Sequence, residues 1–241
     1  MTDNLYFLFL DEIYAPNLND MLKFSKEEIF SRPNHLHFGI SEVIVGASSL
    51  KDIMLRSERI KKKFYPRIPN LIFHYVDILN RKDEYSDLKL NSKKDAGFKS
   101  SLAAFIGDSD FKFDYVFIDK HELIMIENFY LFLTSRKISA RGIIVAEARG
   151  EREDTELREA FKKIYYYGIG KAPPTELRRQ VLDLFIVPKK QNYIGTQMAD
   201  LVLYPTYDGA ISQHHTRTDH FISYQKCLKK KCLDKTKKLI P

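Results

Sequence analysis

Three apolar runs in the chain each end on a carboxylate: Tyr6–Leu10 on Asp11, Tyr115–Ile118 on Asp119, and Gly142–Ala146 on Glu147. Short runs rich in β-branched and aromatic residues read as strands covered on both faces. In open α/β sheets, ligands bind beyond the carboxyl ends of such strands. Acids gathered at one sheet edge repel one another, so the arrangement needs a cation among them or protons on some of them. Mg²⁺ or Mn²⁺ is the simplest resident, because these hard ions take oxygen ligands.

The periodicities along the chain set out the rest. A strand is expected over about 5–11, then a loop holding Pro16 and Pro33, then a second strand near Leu36–Ile40 and Val43–Val45 that pairs antiparallel with the first. Ser48 or Ser49 caps a helix running to about Phe64, and Leu71–Ile78 reads as a third strand. Phe98, Leu102, Phe105 and Ile106 follow helical spacing, the Asp119 strand comes next, and an apolar helix covers about 122–138. Beyond the Glu147 strand, Leu157, Ala160, Phe161 and Ile164 mark an amphipathic helix that ends at Gly168, and Asp154 just ahead of it reads as its N-cap or else as a metal ligand. A strand near Leu182–Val187 precedes a last helix from Ile194 that stops or kinks at Pro205. Strands and helices alternate, with no repeat and no persuasive cut point, so one α/β domain over 1–225 is expected.

With 241 residues and 44% hydrophobic content there is ample material for a core. No stretch reaches the ~18 apolar residues of a membrane span, and the start lacks a signal peptide's basic region, so a cytoplasmic protein without membrane contact is expected. Cys227 and Cys232 lie too close together to staple the body of the fold. The net charge of +7 is concentrated in residues 226–241, where seven lysines face Asp234 alone. This basic extension reads as a solvated tail, a tail that steers toward nucleic acid, or a segment that recruits a protein partner. His214, His215 and His220 lack a zinc spacing with the cysteines, and Gly168–Lys171 lacks the glycine and hydroxyl of a phosphate loop.

In the last helix Gln197, Asp200 and Tyr204 share a face, while Met198, Ala199, Val202 and Leu203 supply apolar surface around them. A carboxylate in that setting requires a salt bridge, a helix-end partner or a cation. Asp119 beside Lys120 reads either as a local ion pair or as a site member. Glu12 alternates with Asp11 and should point to the opposite face.

Taken together and in order, Tyr6–Glu12, His74–Ile78, Val145–Gly150 with Asp154 beyond, and Ile194–Leu201 resemble the DUF3800 family, a bacterial group regarded as ribonuclease H-like. Where that family carries a small residue pair after its Asp-Glu, this chain has Ile13 and Tyr14. The resemblance implies a ribonuclease H-like mixed sheet flanked by helices and an acidic metal site. It further implies a Mg²⁺- or Mn²⁺-dependent nuclease acting on RNA or DNA, in a bacterial defence or mobile-element setting. Asp11 would bridge two ions about 3.5–4 Å apart, with Glu147 and Asp200 completing their shells and Asp119 or Glu12 assisting. The rival expectation is a non-catalytic member of the same fold that binds nucleic acid or a protein through its basic tail.

Overall fold

β1 (Leu5–Ile13) is apolar on both faces, and the reason is its central place in a five-stranded sheet. Phe7 and Phe9 point to one side, while Tyr6, Leu8 and Leu10 point to the other. The computed structural model describes residues 4–13, 38–118, 123–136, 140–211, 228, 231 and 232. β2 (Phe38–Gly46) runs antiparallel to β1, and β3 (Lys112–Ile118) runs antiparallel to β2. On the other flank β4 (Arg141–Glu147) lies parallel to β1, and β5 (Val181–Val187) lies parallel to β4. The order across the sheet is therefore β3-β2-β1-β4-β5, a mixed sheet in a single α/β domain.

Helices cover both faces, which is why β1, β2 and β4 can be apolar on both sides. One face carries α1 (Ala47–Phe64), α2 (Tyr75–Asn80), α3 (Ser92–Asp108) and the last helix, α7 (Ile194–Ile211). Phe73, Tyr85, Phe98 and Phe105 form the aromatic centre of that layer. The opposite face carries α4 (Leu123–Arg136), α5 (Glu151–Tyr167) and α6 (Pro174–Gln180), which bury Phe129, Leu133, Ile164 and Leu177 against Leu8 and Ile144. Gly168 ends α5 at φ 77°, where a Cβ would lie 2.7 Å from the Ala172 carbonyl oxygen.

Several sequence readings differ from this structure; the helix read as capped by Ser48 or Ser49 begins at Ala47 with Gly46 as its N-cap, which places both serines inside its first turn. Leu71–Ile78 is not a strand: residues 71–74 are irregular and α2 begins at Tyr75. Leu71 and Phe73 alternate into the core as a strand would, yet their segment's backbone is paired by side chains of α7 and its approach, described below. Asp154 sits in the first turn of α5 and not at its N-cap, which is Gly150; from there its Oδ1 accepts the Arg149 N–H at 2.9 Å. Of the two outcomes read for Pro205, the helix does not stop there: Pro205 lies inside α7 and is itself buried, so packing carries the helix across the missing backbone bond.

The 226–241 extension is described only at Leu228, Lys231 and Cys232. Leu228 is buried in the core cluster that Phe98, Phe105 and Phe113 belong to, and Cys232 forms a parallel bridge with Phe113 of β3. Lys231 donates to the Ser109 carbonyl, its ammonium lying 4.8 Å from the centre of the Phe111 ring. No helix among the described residues is long and apolar enough to cross a membrane.

Candidate functional site

β1 and β4 run side by side in parallel register from Leu5–Arg141 to Leu10–Ala146. One step further, at the carboxyl ends of both strands, stand Asp11 and Glu147. Both fall on the face that carries Phe7 and Phe9 of β1 and Ile143 and Val145 of β4, which is the face α7 covers. Over them α7 buries Met198, Ala199, Val202 and Leu203, and among these sits Asp200, 8% exposed. The approach is close because Gly195 has no side chain: a Cβ there would lie 2.3 Å from the Phe9 ring. Ser41 of β2 fixes the same helix by donating its hydroxyl to the Ala199 carbonyl at 2.9 Å.

Electrostatics shows that the three acids share a neighbourhood. Burial first, and the Glu147 charge second, push the Asp11 carboxyl from its ordinary 3.8 up to about 7, against the opposing pull of Arg149 and Lys189. Asp200 is pushed well above its usual range by burial and then by Asp11, with Glu147 adding to the effect. The Tyr75 N–H and Lys189 act the other way. Lys189 follows β5, and its Nζ lies 3.8 Å from Glu147 Oε1. Burial lowers Arg149 to about 10, opposed by Asp11, Asp154 and Glu153. Two cations thus flank three carboxylates.

A second wall comes from the segment before α2. Gln197 Oε1 accepts the Phe73 N–H at 2.8 Å, and Asp200 Oδ2 accepts the Tyr75 N–H at 2.6 Å. Asn192 Nδ2 donates to the Leu71 carbonyl at 3.3 Å, and Tyr85 donates to the Ile72 carbonyl at 2.7 Å. Side chains therefore supply the partners that a neighbouring strand would have offered, and they hold His74 at the site. Its Nδ1 donates to Asp77 Oδ2 at 2.5 Å, which leaves Nε2 facing Asp200 Oδ1 at 3.9 Å.

The sequence-predicted acids Asp11, Glu147 and Asp200 are brought together. Asp119 and the Glu12 side chain lie outside the described residues, as do His214, His215, His220 and Tyr204's side chain. Sequence reasoning gave no role to Lys189, His74 or Asp77. The latter two stand inside the quoted His74–Ile78 motif, whereas nothing distinguishes Lys189 from neighbouring Lys190. Two buried carboxylates also escaped notice: Glu42 of β2 and Asp114 of β3, paired across the strands and fully or almost fully enclosed. Glu42 is in register with Leu10, so it faces α4's side of the sheet and does not join Asp11.

Among the described residues, no group of three or more His, Cys, Asp or Glu side chains is arranged as it stands to hold a metal ion. The donor chemistry nevertheless suits a hard divalent cation: all three acids offer oxygen, two are desolvated, and their mutual repulsion is relieved by positive charge. Lys189 already fills part of that need. Comparison with family models, with curated proteins and with solved structures returned no match.

Proposed function

We propose that this chain is a divalent-cation-dependent phosphodiester hydrolase acting on RNA or DNA, with Asp11, Glu147 and Asp200 as its ion-holding residues. One observation carries the reading: Asp11 and Glu147 stand on adjacent parallel strand ends with Asp200 on the helix across them, and burial first and like charge second hold the Asp11 and Asp200 carboxyls above their ordinary range. Structural carboxylates pair with cations and fall below their ordinary range, as Asp95 does between Arg81 and Lys99. Groups pushed the other way by burial and like charge mark functional sites. The mixed five-stranded sheet flanked by helices supports the reading to the extent that a ribonuclease H-like fold, expected from the motifs' resemblance to DUF3800, calls for a mixed sheet of this kind.

A bound Mg²⁺ or Mn²⁺ would polarise a phosphate oxygen and ease ionisation of a water. The chain's own part is to keep three carboxylates at one desolvated edge and to fix their directions. The Tyr75 N–H orients Asp200, Gln197 anchors the backbone that supplies that N–H, and Asp77 orients the His74 ring. His74 Nε2, turned toward Asp200, would accept a proton from the attacking water or deliver one to the leaving oxygen. Charge at the opening comes from Lys189 and Arg149, which favours a polyanion over a neutral substrate.

The deciding assay incubates the purified chain with single-stranded RNA, single-stranded DNA, duplexes and RNA:DNA hybrids in Mg²⁺ or Mn²⁺, beside Asp11→Asn and Asp200→Asn. Cation-dependent cleavage lost in both variants supports the hydrolase. The absence of an ion-enclosing group among the described residues favours the rival reading, a non-catalytic nucleic-acid- or protein-binding protein. Salt-sensitive binding with no cleavage of any substrate would establish that rival.

A further inference from the structure

Lys189 stands at a particular place. β5 ends at Val187, Pro188 follows, and residues 189–191 form a single 3-10 turn closed by Asn192 in the left-handed conformation at φ 56°. The turn brings the Lys189 ammonium back over the end of β4, 3.8 Å from Glu147 Oε1, with the side chain half exposed. Its charge acts on Asp11 and Asp200 as well. Among the described residues, two other basic groups near the acids are engaged elsewhere: Arg149 is also drawn to Asp154 and Glu153, and His74 is held by Asp77. Among these described groups, Lys189 is thus the one that pairs with Glu147 while its side chain stays half exposed to solvent.

We propose that Lys189 is the site's resident counter-cation, its ammonium neutralising Glu147 in the cation-free protein and giving way when a divalent ion binds. The inference rests on the reading of Asp11, Glu147 and Asp200 as ion-holding residues, and it adds a regulatory consequence: the chain carries its own competitor for the metal. At 3.8 Å from Glu147 Oε1 the ammonium lies within about 6 Å of any divalent cation that this oxygen would ligate, and two positive charges that close repel. Displacement costs little, because an ion pair this exposed is worth about 1 kcal/mol or less, equivalent to a factor of roughly five in affinity. The device therefore tunes affinity and leaves the site open to the metal. It keeps the acids neutralised when divalent ions are scarce and releases a lysine toward the solvent side when they are bound.

The test is Mn²⁺ binding to the full chain, followed by isothermal titration calorimetry and by the loss of the free-Mn²⁺ paramagnetic resonance signal at pH 8. Lys189→Met, Lys189→Arg and Asp11→Asn are measured beside the wild type. The expected result is binding roughly three- to fivefold tighter in Lys189→Met, near wild type in Lys189→Arg, and strongly weakened in Asp11→Asn. Equal or weaker binding in Lys189→Met, with Asp11→Asn still impaired, would overturn the counter-cation while leaving the acidic metal site intact. Absence of specific binding in every protein, wild type included, would remove both. Thermal melting without metal separates a folding defect from a binding effect: Lys189→Met melts cooperatively and slightly below wild type at pH 8, and Mn²⁺ raises its Tm by more than it raises the wild type's.

Discussion

Replacing Asp11 by Asn should flatten the pH dependence of stability in a direction opposite to ordinary acid denaturation. The Asp11 carboxyl rises from 3.8 in the unfolded chain to about 7 in the fold, so the native state holds a proton the unfolded state has released. Stability from this group is greatest below pH 4 and is lost as pH climbs toward 7. Carried through proton linkage, a shift of that size costs roughly 2–3 kcal/mol between pH 5 and pH 8 for a fully enclosed group. Asp11 keeps partial solvent contact, which reduces the expected cost to on the order of 1–1.5 kcal/mol, or roughly 2–6 °C in Tm for a chain of this size. Asp200 is displaced the same way and adds to the trend. Urea unfolding and thermal melts of wild type and Asp11→Asn at pH 5 and pH 8, in chelator and in excess Mn²⁺, measure it; groups unrelated to the site cancel in the comparison. Wild type should lose more stability than the variant between the two pH values, and Mn²⁺ should recover the loss at pH 8 in the wild type alone. An identical pH slope in both proteins, or a wild type that gains stability relative to the variant as pH rises, would refute the reasoning.

Other consequences concern the parts that hold the site in place. Leu228→Ala should cost about 2–4 kcal/mol, measured by urea unfolding, because the side chain is buried at 3% exposure; an unchanged midpoint would return this residue to a solvated tail. Gln197→Leu should destabilise by about 1–3 kcal/mol in the same measurement and increase hydrogen exchange at the Phe73 amide, whose acceptor it removes. Gly195→Ala forces a methyl against the Phe9 ring and should lower stability by about 1–3 kcal/mol together with Mn²⁺ affinity, since α7 must lift from β1. For Asp95 burial pushes upward, but Arg81 and Lys99 more than reverse it and hold the carboxyl below its ordinary value. Its contribution is thus present at neutral pH and lost as pH falls below 3.8 through the lowered value, so Arg81→Ala should lower Tm at pH 7 and lower it progressively less as the pH falls below that range.

The strand-end acids were legible because burial and chemistry disagree at those positions: an apolar run that stops on Asp11 or Glu147 needs a reason to stop there. Asp200 was legible on the same ground, as a charge among Met198, Ala199 and Val202. The Leu71–Ile78 segment was misread because alternation reports which side chains are buried, not what pairs the backbone; there the partners are Gln197, Asn192, Tyr85 and Asp200, distant in the chain. Lys189 could not be singled out, since its role arises from a one-turn connection that folds it back over Glu147. Glu42 and Asp114 escaped because one carboxylate per strand is compatible with solvent exposure until the layer covering that face is known. The lysine-rich end read as uniformly polar, and Leu228 gave too short an apolar signal to reveal that the chain packs back onto β3.

The central claim is that Asp11, Glu147 and Asp200 close on one ion. Anomalous diffraction from crystals grown with Mn²⁺ tests it directly. The account predicts a manganese peak between the ends of β1 and β4 and the middle of α7, with oxygens of these three residues within about 2.0–2.4 Å. Crystals saturated with Mn²⁺ that show no peak there, or a peak held by other residues, would contradict it.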